Sequence, residues 1–456
     1  MTRPRNNCTC KFAVSPRTTV TTLALLMLCV LVAGASPALQ AQTFTVIHSF
    51  TGGPDGGVPF AGLARDKAGN LYGTTFQNGT HFDGTVFRLA PKGTGWIFTP
   101  LYEFAGGTDG GWPVAKPTVA PDGTLYGTTL GGGLNDEECP GNGYQGCGVV
   151  FHLTPPPTAC KAAACPWTET VAYRFTGGFY QGTDGWNPRA EVVFDQAAAL
   201  YGTTYNGGTA TGSCKGGCGT VFQLTNSGGQ WSENQLYSFA AGVDGAGPTA
   251  GLVFDSSGSL YSTTSHGGGG AGCPGGCGMV FALTPSGGSW TERILFGFQG
   301  GADGAGAWGG LVLDPSGDLY GATLDGPRGT CGVAYELTRS NGSWAFSVLA
   351  GLLPGPCGEG ALASLVRDAA GNLYGTTYNG GAYGAGAVFK LTPSANGWTY
   401  TSLHDFTLED DGGFPVSSLI LDEAGNIYGT ASSGGSAGGE NCYPNEGCGV
   451  VFEITP

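Results

Sequence analysis

The sequence predicts an all-β fold: a seven-bladed β-propeller of four-stranded antiparallel blades, closed by the N-terminal strand pairing into the last blade. Three observations lead there. A Leu-Tyr dipeptide, or its near match Ile-Tyr, recurs at Leu71, Leu125, Leu200, Leu260, Leu319, Leu373 and Ile427, at intervals of 54, 75, 60, 59, 54 and 54 residues. A period that long, repeated that faithfully, is the signature of a repeat architecture. The composition is turn-rich: 87 Gly in 456 residues, with 41% hydrophobic, 11% aromatic and 11% charged residues. Glycine without a three-residue period excludes collagen, and so much apolar surface argues against disorder. Tight turns, where glycine takes positive φ cheaply, remain its use. The third observation is that the two ends of the chain are complementary, as the strand assignments below show.

In chain order, residues 1–41 read as a secretory signal peptide. Arg3, Arg5, Lys11 and Arg17 form a basic region, Leu23 to Val32 an apolar one, and Ala38-Leu39-Gln40-Ala41 offers small cleavage positions. The apolar run is too short for a membrane span. Cys29 lies inside it behind Leu28, a poor context for a lipoprotein cysteine. Residues 42–456 then form a single propeller domain of seven repeats, secreted or extracytoplasmic, with no later stretch apolar enough to cross a bilayer. The whole chain carries a net charge of −15, and the leader holds four basic and no acidic side chains, leaving −19 on the remainder. That balance opposes nucleic acid and anionic membrane surfaces. It is compatible with neutral or cationic partners and with Ca²⁺; no other cofactor is expected.

One repeat shows the strands. Gly251-Leu252-Val253-Phe254 is strand a; Asp255-Ser256-Ser257-Gly258 is a turn in which Asp caps backbone donors and Gly takes the left-handed position. Leu260 to Thr264 is strand b, β-branched and aromatic as a pleated surface favours. A Gly/Cys-rich loop leads to strand c, Met279 to Thr284, then a turn at Pro285-Ser286-Gly287-Gly288, and strand d from Trp290 to Phe298. Four strands in about sixty residues make one propeller blade. Residues 44–50 match strand d, while the chain stops after a strand c at Ile454. Pairing the two ends closes the ring and removes both sheet edges. A β-solenoid is the alternative, but its repeats are usually shorter and would not leave complementary ends. In this order the b–c loops and d–a linkers emerge on one face, the a–b and c–d hairpins on the other.

Twelve cysteines follow the leader. Five close pairs, Cys139/Cys147, Cys160/Cys165, Cys214/Cys218, Cys273/Cys277 and Cys442/Cys448, leave Cys331 and Cys357, which fall on one face of the ring. An even count in an exported chain with only five His favours disulfides over zinc.

Candidate functional residues come in three series. Asp66, Asp195, Asp255, Asp314, Asp368 and Asp422 open the a–b turns, with Ala120 the exception; these read as turn caps, with Ca²⁺ ligation as the alternative. Asp55, Asp109, Asp184, Asp244, Asp303 and Asp411 follow strand d, commonly with Pro four residues on, and could ring the channel mouth. An Asx-type turn is the favoured reading, because repetition in nearly every blade points to a structural role. Trp96, Trp167, Trp231, Trp290, Trp344 and Trp398 all start a strand d and read as packing. Trp112, Trp186 and Trp308 stand at non-equivalent linker positions, where aromatics can stack on sugar rings, anchor a protein partner or cover blade junctions. No Gly-x-Ser-x-Gly, His-Glu-x-x-His or phosphate-binding loop occurs, so no catalytic residue is assigned.

With Asn70-Leu71-Tyr72-Gly73-Thr74-Thr75, Gly84-Thr85-Val86-Phe87-Arg88-Leu89 and Leu101-Tyr102-Glu103-Phe104 in view, the chain resembles the GloVer tandem-repeat proteins over nearly all of residues 44–456. The resemblance implies an exported bacterial protein and transfers no activity. The expectation is a non-enzymatic propeller binding a glycan or surface protein through its loop-rich face. The alternatives are an extracellular polysaccharide hydrolase or lyase using carboxylates near the channel mouth, and a structural cell-surface or matrix protein.

Overall fold

The computed structural model describes residues 42–133, 139, 145–157, 167–177, 184–208, 214, 216–328, 330–340, 342–352, 360–436, 442 and 447–456. The predicted signal peptide, Cys160, Cys165 and Cys357 lie outside these residues. Residues 44–455 form one compact unit.

Seven four-stranded antiparallel sheets follow one another in a ring. Blade 1 runs Ala64–Arg65 (a), Leu71–Thr75 (b), Thr85–Lys92 (c) and Gly95–Glu103 (d). Blade 7 takes Ile420–Leu421, Ile427–Ala431 and Val450–Thr455 from the end of the chain, and its strand d is Thr43–Ser49. The predicted closure is therefore present.

Three local details differ from expectation. Strand a is only two residues long, Val253–Phe254 in blade 4 rather than four, because the carbonyls just before it turn to the neighbouring blade. Thr203 Oγ1 donates to Ala250 O at 3.1 Å, and Thr74, Thr128, Thr263 and Thr376 make the same bond to Ala115, Ala190, Gly309 and Ser417. Thr430 to Ala61, at 2.8 Å, joins the last blade to the first. In blade 5 the Thr is replaced by Ala322. The second difference is a β-bulge in the c–d pair of each of blades 1 to 6, after the Val or Ala that precedes the core aromatic. It adds twist to the outer strand. The c–d hairpin itself is tighter than expected: Ser286 pairs with Ser289 across Gly287 and Gly288, both at positive φ, as a two-residue hairpin of primed type requires.

The core lies between blades. Phe87, Phe151, Phe222, Phe281, Phe389 and Phe452 on strand c are fully buried, with Tyr335 in the same slot of blade 5. In six blades a strand-b glycine opposite the ring leaves it room, as where a Cβ on Gly202 would come within 2.5 Å of Phe222; blade 4 has Ser262 opposite Phe281. The strand-d tryptophans do pack. Trp96, Trp167, Trp231, Trp290, Trp344 and Trp398 meet Tyr428, Tyr72, Tyr126, Tyr201, Tyr261 and Tyr320 of the preceding blade edge-on, at 5.7 to 6.4 Å, a favoured aromatic geometry. The turn aspartates cap: Asp66 Oδ1 accepts from Ala68 N and Asn70 N at 2.9 Å, and Oδ2 from Tyr72 OH at 3.1 Å. Where Ala120 replaces Asp, Asp122 accepts from Thr124 N and Oγ1 instead.

Four of the expected disulfides are formed, Cys139–Cys147, Cys214–Cys218, Cys273–Cys277 and Cys442–Cys448. Cys331 is also disulfide-bonded. These bonds fit a protein outside the cytoplasm. Among the described residues no helix is long and apolar enough to cross a membrane.

Candidate functional site

Among the described residues, the d–a linkers carry the chain from the rim of the ring to its axis in three steps, the first seen in six of them. The first is a turn closed by the aspartate that follows strand d. Asp55, Asp109, Asp244, Asp303 and Asp411 accept the backbone N–H four residues earlier, and Asp184 that of Thr176 at 3.0 Å. The same carboxylates hold strand d itself, through Tyr102 OH on Asp109 at 2.9 Å, Tyr173 OH on Asp184 at 2.7 Å and Tyr237 OH on Asp244. His48 and His404 replace the tyrosine and pair with Asp55 at 3.3 Å and Asp411 at 2.9 Å. Burial would raise the Asp55 carboxyl, but the bonds from His48 and Thr51 outweigh it and hold it below its ordinary value.

The second step is a left-handed residue ahead of the linker proline: Val58, Trp112, Asn187, Gly247 and Phe414, all at φ between 53° and 62°. Non-glycine residues there cost of order 1 kcal/mol. The conformation is imposed by the preceding b–c loop, whose carbonyls take the linker N–H. Val58, Asn187, Gly247 and Gly306 donate to Cys448, Cys147, Cys218 and Cys277 at 2.8 to 2.9 Å. Each acceptor belongs to a disulfide, so the stapled loops hold the linkers in place.

The third step delivers the next residue to the axis. Phe60, Val114, Arg189, Thr249, Trp308, Leu362 and Val416 occupy equivalent positions and line the mouth of the central cavity. Two residues deeper come Gly62, Lys116, Glu191, Gly251, Gly310, Ser364 and Ser418. The cavity holds about 100 Å³, below the roughly 300 Å³ at which small-molecule pockets begin. The cavity itself has room for no more than a few waters.

Aromatic side chains surround that mouth. Phe60 packs on Phe76 at 5.0 Å, Phe414 on Tyr378 at 5.1 Å, and Trp308 meets Tyr205 at 6.5 Å, tilted 30°. The Arg189 guanidinium lies 4.3 Å from the centre of the Tyr205 ring, a cation–π arrangement, and its Nε donates to Asn187 Oδ1 at 3.0 Å. Deeper in, Lys116 pairs with Glu191 at 3.2 Å. Burial acts to raise the Glu191 carboxyl, and the Lys116 ammonium outweighs it and keeps it ionised.

The three irregular tryptophans part company here. Trp308 lines the mouth and is partly exposed. Trp112 does not line the cavity and packs on the cluster of Val58, Phe76 and Leu130, together with Phe60. Trp186 is only 4% exposed, with Nε1 donated to Gly216 O at 3.1 Å, and is a core residue of its junction. The six linker aspartates are not among the residues lining the cavity; their oxygens are drawn into their own turns. Among the described lining residues Glu191 is the only acid. The sequence does hold a signal for the mouth: the residue after the linker proline varies as Phe60, Val114, Arg189, Thr249 and Val416 where its neighbours repeat. Larger clefts on the opposite face, such as one of about 500 Å³ beside Asp195, Tyr201 and Trp290, are built from the turn caps and Trp–Tyr pairs that recur around the ring.

The Gloeobacter/Verrucomicrobia repeat matches residues 36–164 and 270–456. The chain belongs to that family. The blades and closure just described are thus the fold of a Gloeobacter/Verrucomicrobia repeat protein, and the unmatched stretch contains blade 3 with the same strand order. No curated protein matches in sequence. Solved structures resemble it in fold alone. An ulvan lyase of a new polysaccharide lyase family is 12% identical, covering 87% of this chain and 92% of its own, with a TM-score of 0.50. A fungal alcohol oxidase in complex with copper is 13% identical over 91% and 77%, at 0.49. A putative 6-phosphogluconolactonase from Bacteroides uniformis is 15% identical over 81% and 89%, at 0.46.

Proposed function

We propose that this repeat protein is a non-enzymatic, extracytoplasmic binding module that takes a glycan across the mouth of its central channel. The observation that supports this is the convergence of Phe60, Trp308 and the Tyr205–Arg189 stack on one repeat position, the position where the blades stop resembling one another. Flat apolar faces beside polar groups suit the C–H faces and hydroxyls of a sugar. Disulfide-stapled loops hold those faces rigid, which lowers the ordering cost of binding. Hydrolysis of a glycoside calls for two carboxyls flanking the bond; the cavity lining supplies Glu191, and Lys116 engages it. Asp55, Asp109, Asp184, Asp244, Asp303 and Asp411 act in this account as turn closures that fix the linkers.

The test is a glycan-array screen of the oxidised protein with and without Ca²⁺, followed by product analysis on each hit. Trp308→Ala with Phe60→Ala is expected to weaken a hit by about thirty-fold or more, the loss typical of a central aromatic anchor. A Trp112→Ala variant should lose less. Unchanged affinity in the Trp308/Phe60 double variant would refute the site, and cleaved product would refute the non-enzymatic role.

A further inference from the structure

Strand d has one position that faces the strand d of the preceding blade. It holds Phe44, Phe98, Glu169, Glu233, Glu292, Phe346 and Tyr400 in the seven blades. Three of the aromatics stack on the residue opposite: Phe44 on His404 at 3.7 Å, Phe98 on His48 at 4.0 Å and Phe346 on Phe296 at 3.9 Å. At three consecutive junctions a glutamate occupies the same place. Glu169, Glu233 and Glu292 each have Oε1 buried without a hydrogen-bond partner. The hydroxyls that could have served them, on Tyr102, Tyr173 and Tyr237, are committed to Asp109, Asp184 and Asp244.

The charged surroundings oppose ionisation. Glu169 faces Asp109 and Tyr102, with Arg174 of its own strand as a partial counterweight. Glu233 faces Asp184 and Tyr173, and Glu292 faces Asp244 and Tyr237. Burial first, and the neighbouring aspartate second, push each of the three carboxyls up to about 7.

We propose that Glu169, Glu233 and Glu292 form a proton-operated seam: as neutral carboxyls they close the junctions between blades 1 and 2, 2 and 3, and 3 and 4, and their ionisation loosens that arc of the ring. A flat neutral group satisfies a position that elsewhere takes an aromatic ring; a carboxylate with a buried, unpaired oxygen does not. The linkers that leave this arc carry Val114, Arg189 and Thr249 to the axis, so the seam at the rim belongs to the blades that supply three of the seven mouth positions. The folded values lie above the ordinary glutamate value of 4.5. The stabilisation is therefore complete below that value and is lost as pH rises through about 7.

The experiment compares thermal unfolding at about pH 5.5 and about pH 8.5, at fixed ionic strength with chelator present, in wild type and in Glu169→Gln/Glu233→Gln/Glu292→Gln. Glutamine keeps the shape of the neutral acid. The wild-type midpoint is expected to fall on the order of 5 °C at the higher pH, and the triple variant to lose most of that fall. Single Gln variants, each removing about a third, give the same readout if the triple variant does not fold. An equal fall in wild type and variants would overturn the seam. So would recovery of the wild-type midpoint at the higher pH on adding Ca²⁺, because the carboxyls would then be cation ligands.

Discussion

Tyr335 offers a substitution that should stabilise the protein by removing a polar group. Its ring fills the strand-c slot held by phenylalanine in the other six blades, and it is 0% exposed. Its hydroxyl has no hydrogen-bond partner and sits over the backbone of Gly321, where a Cβ would come within 2.3 Å of it. Burial pushes the phenol further up, so it is neutral throughout the working range. An unsatisfied buried hydroxyl costs about 1–3 kcal/mol. Tyr335→Phe removes that cost and retains the ring contacts with Phe298 at 5.2 Å and Phe346 at 5.6 Å. Unfolding entropy of about 2.1 cal/mol/K per residue, over a unit of this length, comes to about 0.9 kcal/mol/K, so the expected rise in Tm is about 1–3 °C. Differential scanning calorimetry of the oxidised protein resolves such a change, and chemical denaturation should show a higher midpoint at unchanged slope. A lower midpoint would refute the reasoning, because it would mean that the hydroxyl satisfies a buried partner, such as a water bound between blades 4 and 5.

Other expectations follow from the same contacts. Thr430→Val removes the hydroxyl that bridges blade 7 to the Ala61 carbonyl of blade 1; a loss of about 1–3 kcal/mol is expected by denaturant titration, with Thr430→Ser restoring most of it. Deleting residues 42–49 exposes the edge of strand c in blade 7, and size-exclusion chromatography should show association through that edge. On the acid side, burial acts against Asp66, Asp255, Asp368 and Asp422, but their turn hydrogen bonds outweigh it and hold all four below the ordinary aspartate value of 3.8. Their contribution is present above that value and lost as pH falls through the folded values, so the unfolding midpoint should drop steeply below about pH 4 and less steeply in Asp368→Asn.

The fold could be read because the repeat states it seven times: the Leu-Tyr dipeptide fixes strand b, the Asp before it the a–b turn, and the Phe-containing ends supply one strand d too many at one end and one too few at the other. The mouth was harder to read for a physical reason. Side chains at the axis are selected by linker geometry, and nothing in the residue type announces that Phe60 and Arg189 arrive there while Trp186 turns inward to donate to Gly216. The linker aspartates follow the turn reading that their repetition favours: Asp109 accepts the N–H four residues before it and Asp184 that of Thr176, eight before, so these carboxylates close their own turns. Glu169, Glu233 and Glu292 alternate with exposed residues along strand d, and only the neighbouring blade shows that Oε1 of each is covered.

The seventh blade also sets a timetable. Its outer strand, Thr43–Ser49, is among the first parts of the domain to be synthesised and its partner, Val450–Thr455, the last. Blades 1 to 6 can each form from local hairpins as they emerge. The ring has to wait, with an unpaired edge at both ends, for a contact that spans some four hundred residues. The entropic penalty of that span grows only logarithmically with length, so the delay is mainly one of synthesis. Until Val450–Thr455 pairs with Thr43–Ser49 the ring keeps open sheet edges, and it becomes edgeless only when that pair forms.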